Sequence, residues 1–351
     1  MMKQAQIDAP SLARILSGLV EERAGRSDVA VVGSMNADYT VEVDAMPRPG
    51  ETIFSGPMAI HPGGKSANQA SSCAHLGQRT HMLGAVGDDA NADMLTDELA
   101  KAGVMTSGIE RVEGPSGSTV IVVDRHGENF VVVSRGANAS VTPAYVRRHK
   151  DVIVSAAVLG LCLESPMDTV VEAAEIAAVA GTRVILNISP MPSQRDAVAL
   201  ERLIGLADVI IMNEHETAQF LGRDSAIDID DDWNAFRREL AAKGLHHVVV
   251  TLGGQGSVVM TGDGDRAGDG MMSDGEDDGI VHVPAVSVTP VDTTGAGDSF
   301  MGATLAGLAH GNALVDACRL ASVAAAYATT GRGAQSSYGN AKQVLDLVRG
   351  R

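Results

Sequence analysis

Short runs of β-branched and aliphatic residues alternate along the chain with longer stretches in which apolar residues recur every three or four positions. The first pattern predicts buried strands, and the second predicts amphipathic helices. Strands are predicted at residues 29–32, 82–86, 152–159, 183–187, 209–212 and 247–252. Helices are predicted at residues 65–77, 88–103, 166–181, 194–207, 231–244, 298–310 and 314–330. This alternation predicts an α/β fold with a doubly wound, mostly parallel sheet flanked by helices.

Two segments interrupt the alternation. Residues 39–60 and 118–135 contain strand-like runs that no helix follows directly, and a polar stretch at residues 124–127 divides the second segment. A polar turn between two such runs is typical of a β-hairpin. We predict that the two segments form a small β-sheet that covers the main sheet as a lid.

Two additions to a single α/β domain over residues 28–351 are also predicted. Within residues 1–27, Leu12, Ile15, Leu16 and Leu19 share one helical face, which predicts an amphipathic N-terminal helix. Residues 262–279 form an insert rich in glycine, aspartate and methionine, and this composition predicts an acidic, solvated loop.

Composition and charge narrow the range of partners. The chain of 351 residues has a formal net charge of −17, which argues against a nucleic-acid or anionic-membrane surface. No apolar segment is long enough to span a membrane, and the N-terminal segment lacks the apolar core of a secretion signal, so we expect a cytoplasmic protein. The cysteines Cys73, Cys162 and Cys318 are far apart, which predicts buried thiols rather than metal ligands or a disulfide.

Residues 292–298, with the sequence DTTGAGD, carry the strongest indication of chemistry, because they open into the apolar helix predicted from residue 298. Unpaired backbone N–H groups and the helix dipole make such a helix start an anion site, most often for phosphate. A carboxylate at Asp298 is repelled by phosphate unless it has a chemical role, such as accepting the proton of an attacking hydroxyl. From this segment alone, an aspartate that merely caps the helix is an equally good interpretation.

Polar groups that suit a polyol follow the ends of several predicted elements. These candidates are Asn36, Asp38, Gly64, Lys65, Asn68 and Glu164. Asn36 and Asp38 follow the first strand, at the edge of the sheet where open α/β folds bind ligands. Lys65 and Asn68 stand three positions apart and share a helical face. A P-loop is rejected here because Ala59 occupies the position of its first glycine, and for Glu164 a solvated loop position is equally consistent.

Two further strand ends suit a nucleotide. Asn213 and Glu216 stand at a helix start, where a carboxylate can cap the helix or help to hold Mg²⁺. Thr251, Gly253 and Gly256 belong to a glycine-containing turn that allows close backbone approach but lacks the spacing of a dinucleotide fingerprint. A mononucleotide contact is the better interpretation of this turn.

In order and spacing, these motifs resemble those of the ribokinase (PfkB) family of carbohydrate kinases from about residue 29 to the C-terminus. The most specific matches are DTTGAGD at 292–298 and GGKSANQA at 63–70, and LESP at 163–166 and GAQ at 333–335 agree with them. The resemblance implies a ribokinase-like kinase domain that transfers a phosphoryl group from ATP to the primary hydroxyl of ribose. It also implies Mg²⁺ and a potassium-type monovalent ion as cofactors, and a homodimer formed through the lid sheet.

The same resemblance implies a role for each motif. Asp298 is the base, and the backbone of Gly295, Ala296 and Gly297 forms the anion hole. The sugar ligands are Asn36, Asp38, Gly64, Lys65, Asn68, Glu164 and Asp298. The ATP contacts are Asn213, Thr251, Gly253, Gly256, Gly297 and Ser322. Glu216 helps to place Mg²⁺, and the monovalent ion is ringed by Asp292, Thr294, Ala328, Gly331, Gly333 and Ser337.

Two departures from the family pattern keep the choice of sugar open. Ser66 stands where the family usually has glycine, which predicts an extra hydroxyl at the sugar site, and His61 stands where an apolar residue is common. The alternatives are a related kinase of a nucleoside, fructose or a keto-deoxy sugar acid, and, with less support, a non-catalytic sensor. A nucleoside favours aromatic stacking, but only Tyr39 lies near a sugar motif. Retention of Asp298 argues against the sensor.

Overall fold

The computed structural model describes residues 2–19, 26–262 and 279–350. Of the acidic loop predicted over residues 262–279, residues 263–278 lie outside the described residues. The strands are β1 (Lys3–Gln4), β2 (Val29–Val32), β3 (Asn36–Val43), β4 (Ala59–Gly63), β5 (Thr80–Val86), β6 (Met105–Arg111), β7 (Gly117–Asp124), β8 (Asn129–Ser134), β9 (Val158–Cys162), β10 (Arg183–Asn187), β11 (Val209–Asn213), β12 (Val248–Thr251), β13 (Ser257–Met260) and β14 (Ile280–Val283). The α-helices are α1 (Ala9–Leu19), α2 (Lys65–His75), α3 (Ala90–Lys101), α4 (Pro143–Arg148), α5 (Lys150–Ser155), α6 (Met167–Ala180), α7 (Ala197–Leu206), α8 (Glu214–Phe220), α9 (Trp233–Ala242), α10 (Ala296–Ala309), α11 (Leu314–Ala328) and α12 (Ala341–Arg349).

A ten-stranded sheet in the order β1-β14-β13-β12-β11-β10-β9-β2-β5-β6 forms the middle layer. All neighbouring strands are parallel except β13, which is antiparallel to both of its neighbours. Strands such as β2 and β9 are apolar and buried throughout, as expected when helices cover both faces of a parallel sheet. One core cluster lies against α2, α10 and α11 and another against α6 and α9. The predicted doubly wound, mostly parallel α/β fold is confirmed.

A second sheet contains four strands in the order β4-β3-β7-β8, and this small sheet is also as predicted. Its first strand, β3, begins only four residues after β2 ends. The lid sheet therefore grows from the carboxyl end of a central strand of the main sheet, which is the edge where open α/β folds bind ligands.

The N-terminal segment contributes to the main body of the protein. Helix α1 buries Leu12, Ile15, Leu16 and Leu19, and its neighbours are α10, α11 and α12. Ahead of it, β1 pairs in parallel with β14 and extends the main sheet. The predicted amphipathic helix is present, and its apolar face joins the main core.

The strand predicted over residues 152–159 is wrong in its first half. Val152 and Ile153 lie in α5, and β9 begins only at Val158. Helical geometry turns Ile153 into the core and leaves Val154 36% exposed. A β-branched run of three residues is too short to reveal a helical or a strand period, so the surrounding packing decides its structure.

Candidate active site

Asp298 lies in the first turn of α10, in a buried position. Gly295 precedes the helix with a φ of 76°, and a Cβ there would approach the Tyr338 hydroxyl oxygen and the Ala334 Cβ to 2.6 Å. Only glycine adopts this backbone and fits this space without strain. The turn therefore aims the start of α10, and the Asp298 side chain is only 8% exposed.

Helix α2 supplies hydrogen-bond donors to both oxygens of the Asp298 carboxylate. Asn68 Nδ2 donates to Asp298 Oδ2 at 2.9 Å, and Gln69 Nε2 donates to Oδ1 at 3.4 Å. The helices approach this closely because Gly302, four positions after Asp298, has no side chain, and a Cβ there would lie 2.5 Å from the carbonyl oxygen of Gln69. Gln335 Nε2 in turn donates to Asn68 Oδ1 at 3.1 Å.

The turn before Asp298 leaves space beside its backbone. Apart from its chain neighbours and the backbone of its own helix, no atom lies within 4 Å of a Cβ built on Gly297. Ala296 N–H donates to the carbonyl of Thr293 at 3.2 Å, so this predicted anion-hole donor is engaged within the turn. Gly297 is therefore the position in the turn at which a ligand can approach the backbone most closely.

Glu164 is tied to the ends of two other elements. The Ser34 hydroxyl and the Lys65 backbone N–H both donate to Glu164 Oε2. Gly64 makes this arrangement possible, because its φ is +90° and a Cβ would lie 2.8 Å from the Asn36 backbone nitrogen. The strand ends that carry the sugar candidates thus meet at one edge of the sheet, as their positions in the sequence predict.

Charges at this edge affect one another's ionisation. The pKa of Asp38 is raised to about 7, chiefly by burial; a hydrogen bond from Thr119 opposes this rise, and the negative charges of Glu164 and Asp298 add to it. Burial alone lowers the pKa of Lys65, but the carboxylates of Asp298 and Glu164 outweigh it and hold that pKa above its ordinary value. The candidates from β3, α2 and α10 therefore share one electrostatic environment.

The hydroxyl of Ser66 does not extend the sugar-facing surface. Ser66 is completely buried, and its Oγ lies 3.4 Å from the carbonyl oxygen of Val32 and 3.0 Å from Cys162 Sγ. Gly33 leaves room for it, since a Cβ there would lie 2.0 Å from Ser66 Oγ. The prediction of an extra hydroxyl at the sugar site is wrong, because this side chain fills a gap in the core instead. His61 lies exposed in β4, opposite Asp38.

Asn213 and Glu216 form a reciprocal cap at the start of α8. The Glu216 N–H donates to Asn213 Oδ1 at 2.7 Å, and the Asn213 N–H donates to Glu216 Oε2 at 2.9 Å. This capping box holds one carboxylate oxygen of Glu216 at the end of β11. The negative charge of Glu216 also contributes to the raised pKa of Lys65.

The predicted nucleotide turn follows β12 directly. Thr251 is the last residue of β12, and Gly253–Gln255 form a single 3-10 turn. Gly256 has a φ of 95°, and a Cβ there would lie 2.2 Å from the carbonyl oxygen of Val283. On the neighbouring helix α11, Ser322 Oγ donates to the carbonyl of Pro284 at 2.7 Å.

Asp292 draws the two candidate ion-binding loops together. Its carboxylate accepts the N–H of Thr294 at 2.9 Å and the N–H of Gly333 at 2.8 Å. Burial alone raises the pKa of Asp292, but the N–H groups of Gly333 and Thr294 hold it below its usual value. In the second loop, Gly331 N–H donates to the carbonyl of Ala328 at 3.4 Å, and a Cβ on Gly331 would touch that of Ser337 at 2.8 Å.

Three residues outside the predicted set complete the buried network. Gln69 and Gln335 contact Asp298 and Asn68 as described, and Asn138 Nδ2 donates to Asn36 Oδ1 at 2.8 Å. Gln335 is the last residue of the GAQ motif, whereas Asn138 follows the lid hairpin at a distance of about a hundred residues from its partner. A pattern within one segment cannot reveal such a long-range contact.

A buried aspartate beside an open helix-start turn is the arrangement expected of an enzyme that transfers a phosphoryl group to a hydroxyl. Residues 26–340 match the pfkB family of carbohydrate kinases, and the chain belongs to that family. It is an ATP-dependent kinase that acts on a small-molecule sugar. No helix in the described part of the chain is long and apolar enough to cross a membrane.

Individual relatives are similar to this chain over nearly its whole length. It is 33% identical to a ribokinase of Schizosaccharomyces pombe, covering 88% of this chain and 94% of the relative. It is also 33% identical to a deoxyribokinase of Salmonella typhi, with 92% and 98% covered. Among solved structures, the Arabidopsis thaliana ribokinase complexed with ribose and ATP superposes with a TM-score of 0.78 at 27% identity, covering 92% and 99% of the two chains.

Proposed function

We propose that this kinase phosphorylates the primary hydroxyl of D-ribose, giving D-ribose 5-phosphate and ADP. The observation that carries the proposal is the buried Asp298 carboxylate, held by Asn68 and Gln69 at the edge where Asp38 and Glu164 also lie. Several relatives over nearly the full chain are named ribokinases.

In this mechanism Asp298 accepts the proton of the sugar hydroxyl while that oxygen attacks the γ-phosphorus of ATP. The amides of Asn68 and Gln69 hold the carboxylate in one orientation, so little reorganisation is needed when the sugar binds. Backbone N–H groups at the start of α10, beside Gly297, face the equatorial oxygens, where negative charge is distributed in the transition state. Asn36, Asp38, Gly64, Lys65 and Glu164 hold the remaining hydroxyls.

The nucleotide side of the proposal uses Asn213, Ser322 and the turn that contains Thr251, Gly253 and Gly256. Glu216 suits Mg²⁺ through water, because its carboxylate is anchored in the capping box and its charge acts on Lys65. Mg²⁺ in nucleotide sites usually keeps several waters and is held by one or two carboxylates together with the phosphates, so a single anchored carboxylate is enough to help place it. Bound Mg²⁺ neutralises charge that develops on the phosphates.

A potassium-type ion suits the two loops that Asp292 joins. The proposed ring of Asp292, Thr294, Ala328, Gly331, Gly333 and Ser337 spans those loops. Oxygen ligands of this kind suit a hard monovalent cation, and a filled ring stiffens the backbone that leads into the Gly295–Gly297 turn. We expect activity to be higher in potassium than in a large organic cation, and equal rates would argue against the ring.

A homodimer through the lid sheet is part of the same proposal. Strand β8 is exposed along its whole length, and Phe130 and Val132 are 63% and 52% exposed. An apolar strand of this kind is typical of an interface. Sedimentation at several concentrations tests this, and a Val132→Lys variant should shift the population towards monomer.

Deoxyribose phosphorylation is the second candidate, because a deoxyribokinase is as similar to this chain as the ribokinases are. The decisive experiment measures ADP release with Mg-ATP and potassium across ribose, deoxyribose, fructose, ribonucleosides and keto-deoxygluconate. Selective turnover of ribose supports the proposal. Selective turnover of another compound keeps the mechanism and replaces the substrate, whereas no turnover at all would favour a non-catalytic sensor.

A further inference from the structure

Asn138 joins the two places where the lid sheet leaves the main body. It lies in the 3-10 helix Gly136–Ser140 after β8 and is 3% exposed. Its Oδ1 accepts the N–H of Met35 at 2.9 Å, and its Nδ2 donates to the carbonyl of Met35 at 3.1 Å and to Asn36 Oδ1 at 2.8 Å. Met35 lies between β2 and β3, so one side chain links the entry into the lid with the exit from it.

The hydrogen bonds to Met35 determine which way the Asn138 amide points. A backbone N–H can only donate, and a backbone carbonyl can only accept. Asn138 must therefore turn Oδ1 towards the N–H of Met35 and Nδ2 towards its carbonyl. Because the same Nδ2 also faces Asn36, Asn36 must meet it with an oxygen. The Nδ2 group of Asn36 is then left to face its other neighbours.

Both amides pack closely against the lid backbone at Gly117. Gly117 lies opposite Asn36 in the lid sheet. A Cβ on Gly117 would lie 2.1 Å from Asn138 Nδ2 and 2.4 Å from Asn36 Oδ1. Asn36 itself is only 2% exposed. Packing therefore keeps the two amides in contact, and the hydrogen bonds to Met35 determine which atom of each amide faces the other.

We propose that Asn138 is a positioning residue that holds Asn36 as a hydrogen-bond donor to the sugar. The inference rests on the proposed function, since it takes Asn36 as a sugar ligand. The carboxylates of Asp38 and Glu164 accept hydrogen bonds from hydroxyls when they are ionised. Asn36 instead donates a hydrogen bond through its NH₂ group, so it requires a sugar oxygen that accepts one. It presents this donor to the sugar only while Asn138 holds its amide in place.

The test is a double-mutant cycle between Asn138→Asp and Asn36→Ala, read as sugar KM, ATP KM and kcat. A carboxylate at position 138 still accepts the N–H of Met35, but it can donate neither to the Met35 carbonyl nor to Asn36. The Asn36 amide is then expected to turn its NH₂ group towards position 138. In the otherwise native enzyme we expect the sugar KM to rise by about tenfold to a hundredfold, with ATP KM within about twofold. In the Asn36→Ala background the same substitution should raise the sugar KM by less than about a further twofold, because the Asn36 amide that it would reorient is absent.

A purely structural role gives the opposite pattern, in which Asn138→Asp has its full effect in both backgrounds and changes kcat and both KM values together. That pattern would overturn the proposal. Asn312→Asp is the matched control, because Asn312 Nδ2 also donates to a backbone carbonyl, that of Gly307, at 2.9 Å. It lies beyond the end of α10 that is remote from Asp298, and we expect it to leave the sugar KM unchanged.

A second variant covers the case in which Asn138→Asp does not fold. Asn36→Asp keeps the acceptor for Asn138 and leaves both Met35 bonds in place, but it replaces the sugar-facing donor with an oxygen. We expect the sugar KM to rise at least about tenfold, and a native KM would contradict the proposal. All variants are assayed with the sugar that the native enzyme turns over fastest. An error in the choice of ribose then changes only the substrate, whereas an error about Asn138 gives a sugar KM that is either unaltered or changed together with ATP KM and kcat.

Discussion

The proposed sugar side and the proposed nucleotide side of the candidate site are built in different ways. On the sugar side, Asn36, Asn68 and Asp298 are each less than a tenth exposed, and hydrogen bonds between side chains hold them. On the nucleotide side, the Gly253–Gln255 turn is solvent-facing, and a Cβ on Gly253 or Gly254 meets no atom within 4 Å.

The difference follows from the chemical groups that each proposed ligand presents to the protein. A small neutral polyol presents only hydroxyls, so it is selected by donors and acceptors that are already in place before it binds. A nucleotide brings several negative charges, and backbone N–H groups at helix starts and turns can bind these without a rigid side-chain network. Substitutions on the two sides should therefore differ in their effects on activity and on stability.

The largest expected effect is that of Asp298→Asn. The substitution keeps the shape of the side chain but removes the oxygen that accepts the proton, so kcat should fall by about a thousandfold or more. Steady-state kinetics with saturating sugar and ATP measure this, and sugar binding monitored by calorimetry controls for loss of the pocket. Near-native turnover would rule out the role of Asp298 as the base.

Gly297→Ala should separate activity from stability. A Cβ at Gly297 meets no protein atom within 4 Å, and alanine favours a helix over glycine by about 1 kcal/mol, so Tm should not fall. If phosphoryl oxygens approach this backbone, kcat should fall by about a hundredfold, as when an oxyanion contact is lost. Gly205→Ala in α7 is the control, since its Cβ is equally unobstructed and lies outside the candidate site. Native kcat in Gly297→Ala would argue against the anion turn.

Gly64→Ala and Gly254→Ala compare the stability of the two sides. At Gly64 the φ of +90° and the nearby Asn36 nitrogen oppose a side chain, so urea unfolding should show a loss of about 2 kcal/mol, roughly thirtyfold in the folding equilibrium. Gly254 has neither a positive φ nor an atom in the way, so its change should stay within about 0.5 kcal/mol. Equal losses would show that the two sides do not differ in rigidity.

The smallest expected effect is a pH dependence that belongs to Asp38. Since its pKa is raised to about 7, the carboxyl is mostly protonated at pH 6 and mostly ionised at pH 8. An ionised carboxylate accepts stronger hydrogen bonds from hydroxyls, so the sugar KM should fall by up to about tenfold as pH rises through 7. Asp38→Asn should flatten this dependence of sugar KM on pH. A native profile that is already flat would contradict the assignment of Asp38 to the sugar.

Much of the fold follows from local patterns, because β2 and β10 have the predicted bounds of residues 29–32 and 183–187. Their apolar runs are continuous and bounded by turn residues, which makes a buried strand the best interpretation. The strands β6, β13 and β14 were not predicted, since they depend on pairing with neighbouring strands of the sheet, β6 with β5 and β13 with β14. Pairing of this kind leaves little periodicity to detect.

For the site, sequence spacing predicts which segments meet but not which way each side chain turns. Lys65 and Asn68 lie at the start of α2 as expected, and Asn68 contacts Asp298. Ser66, between them, points into the core because Gly33 leaves a space there. The orienting contact of Asn138 with Asn36 spans 102 positions, and only the folded chain brings the two residues together.

The short strand β1 has a consequence for solubility. A sheet of ten strands ends in a row of backbone donors and acceptors that can recruit strands from other molecules. Here Lys3 and Gln4 cover the outer edge of β14, and two paired residues offer little template for further growth. We therefore expect the segment that precedes α1 to limit edge-to-edge aggregation. Shortening this segment should make the protein self-associate without altering the chemistry at Asp298.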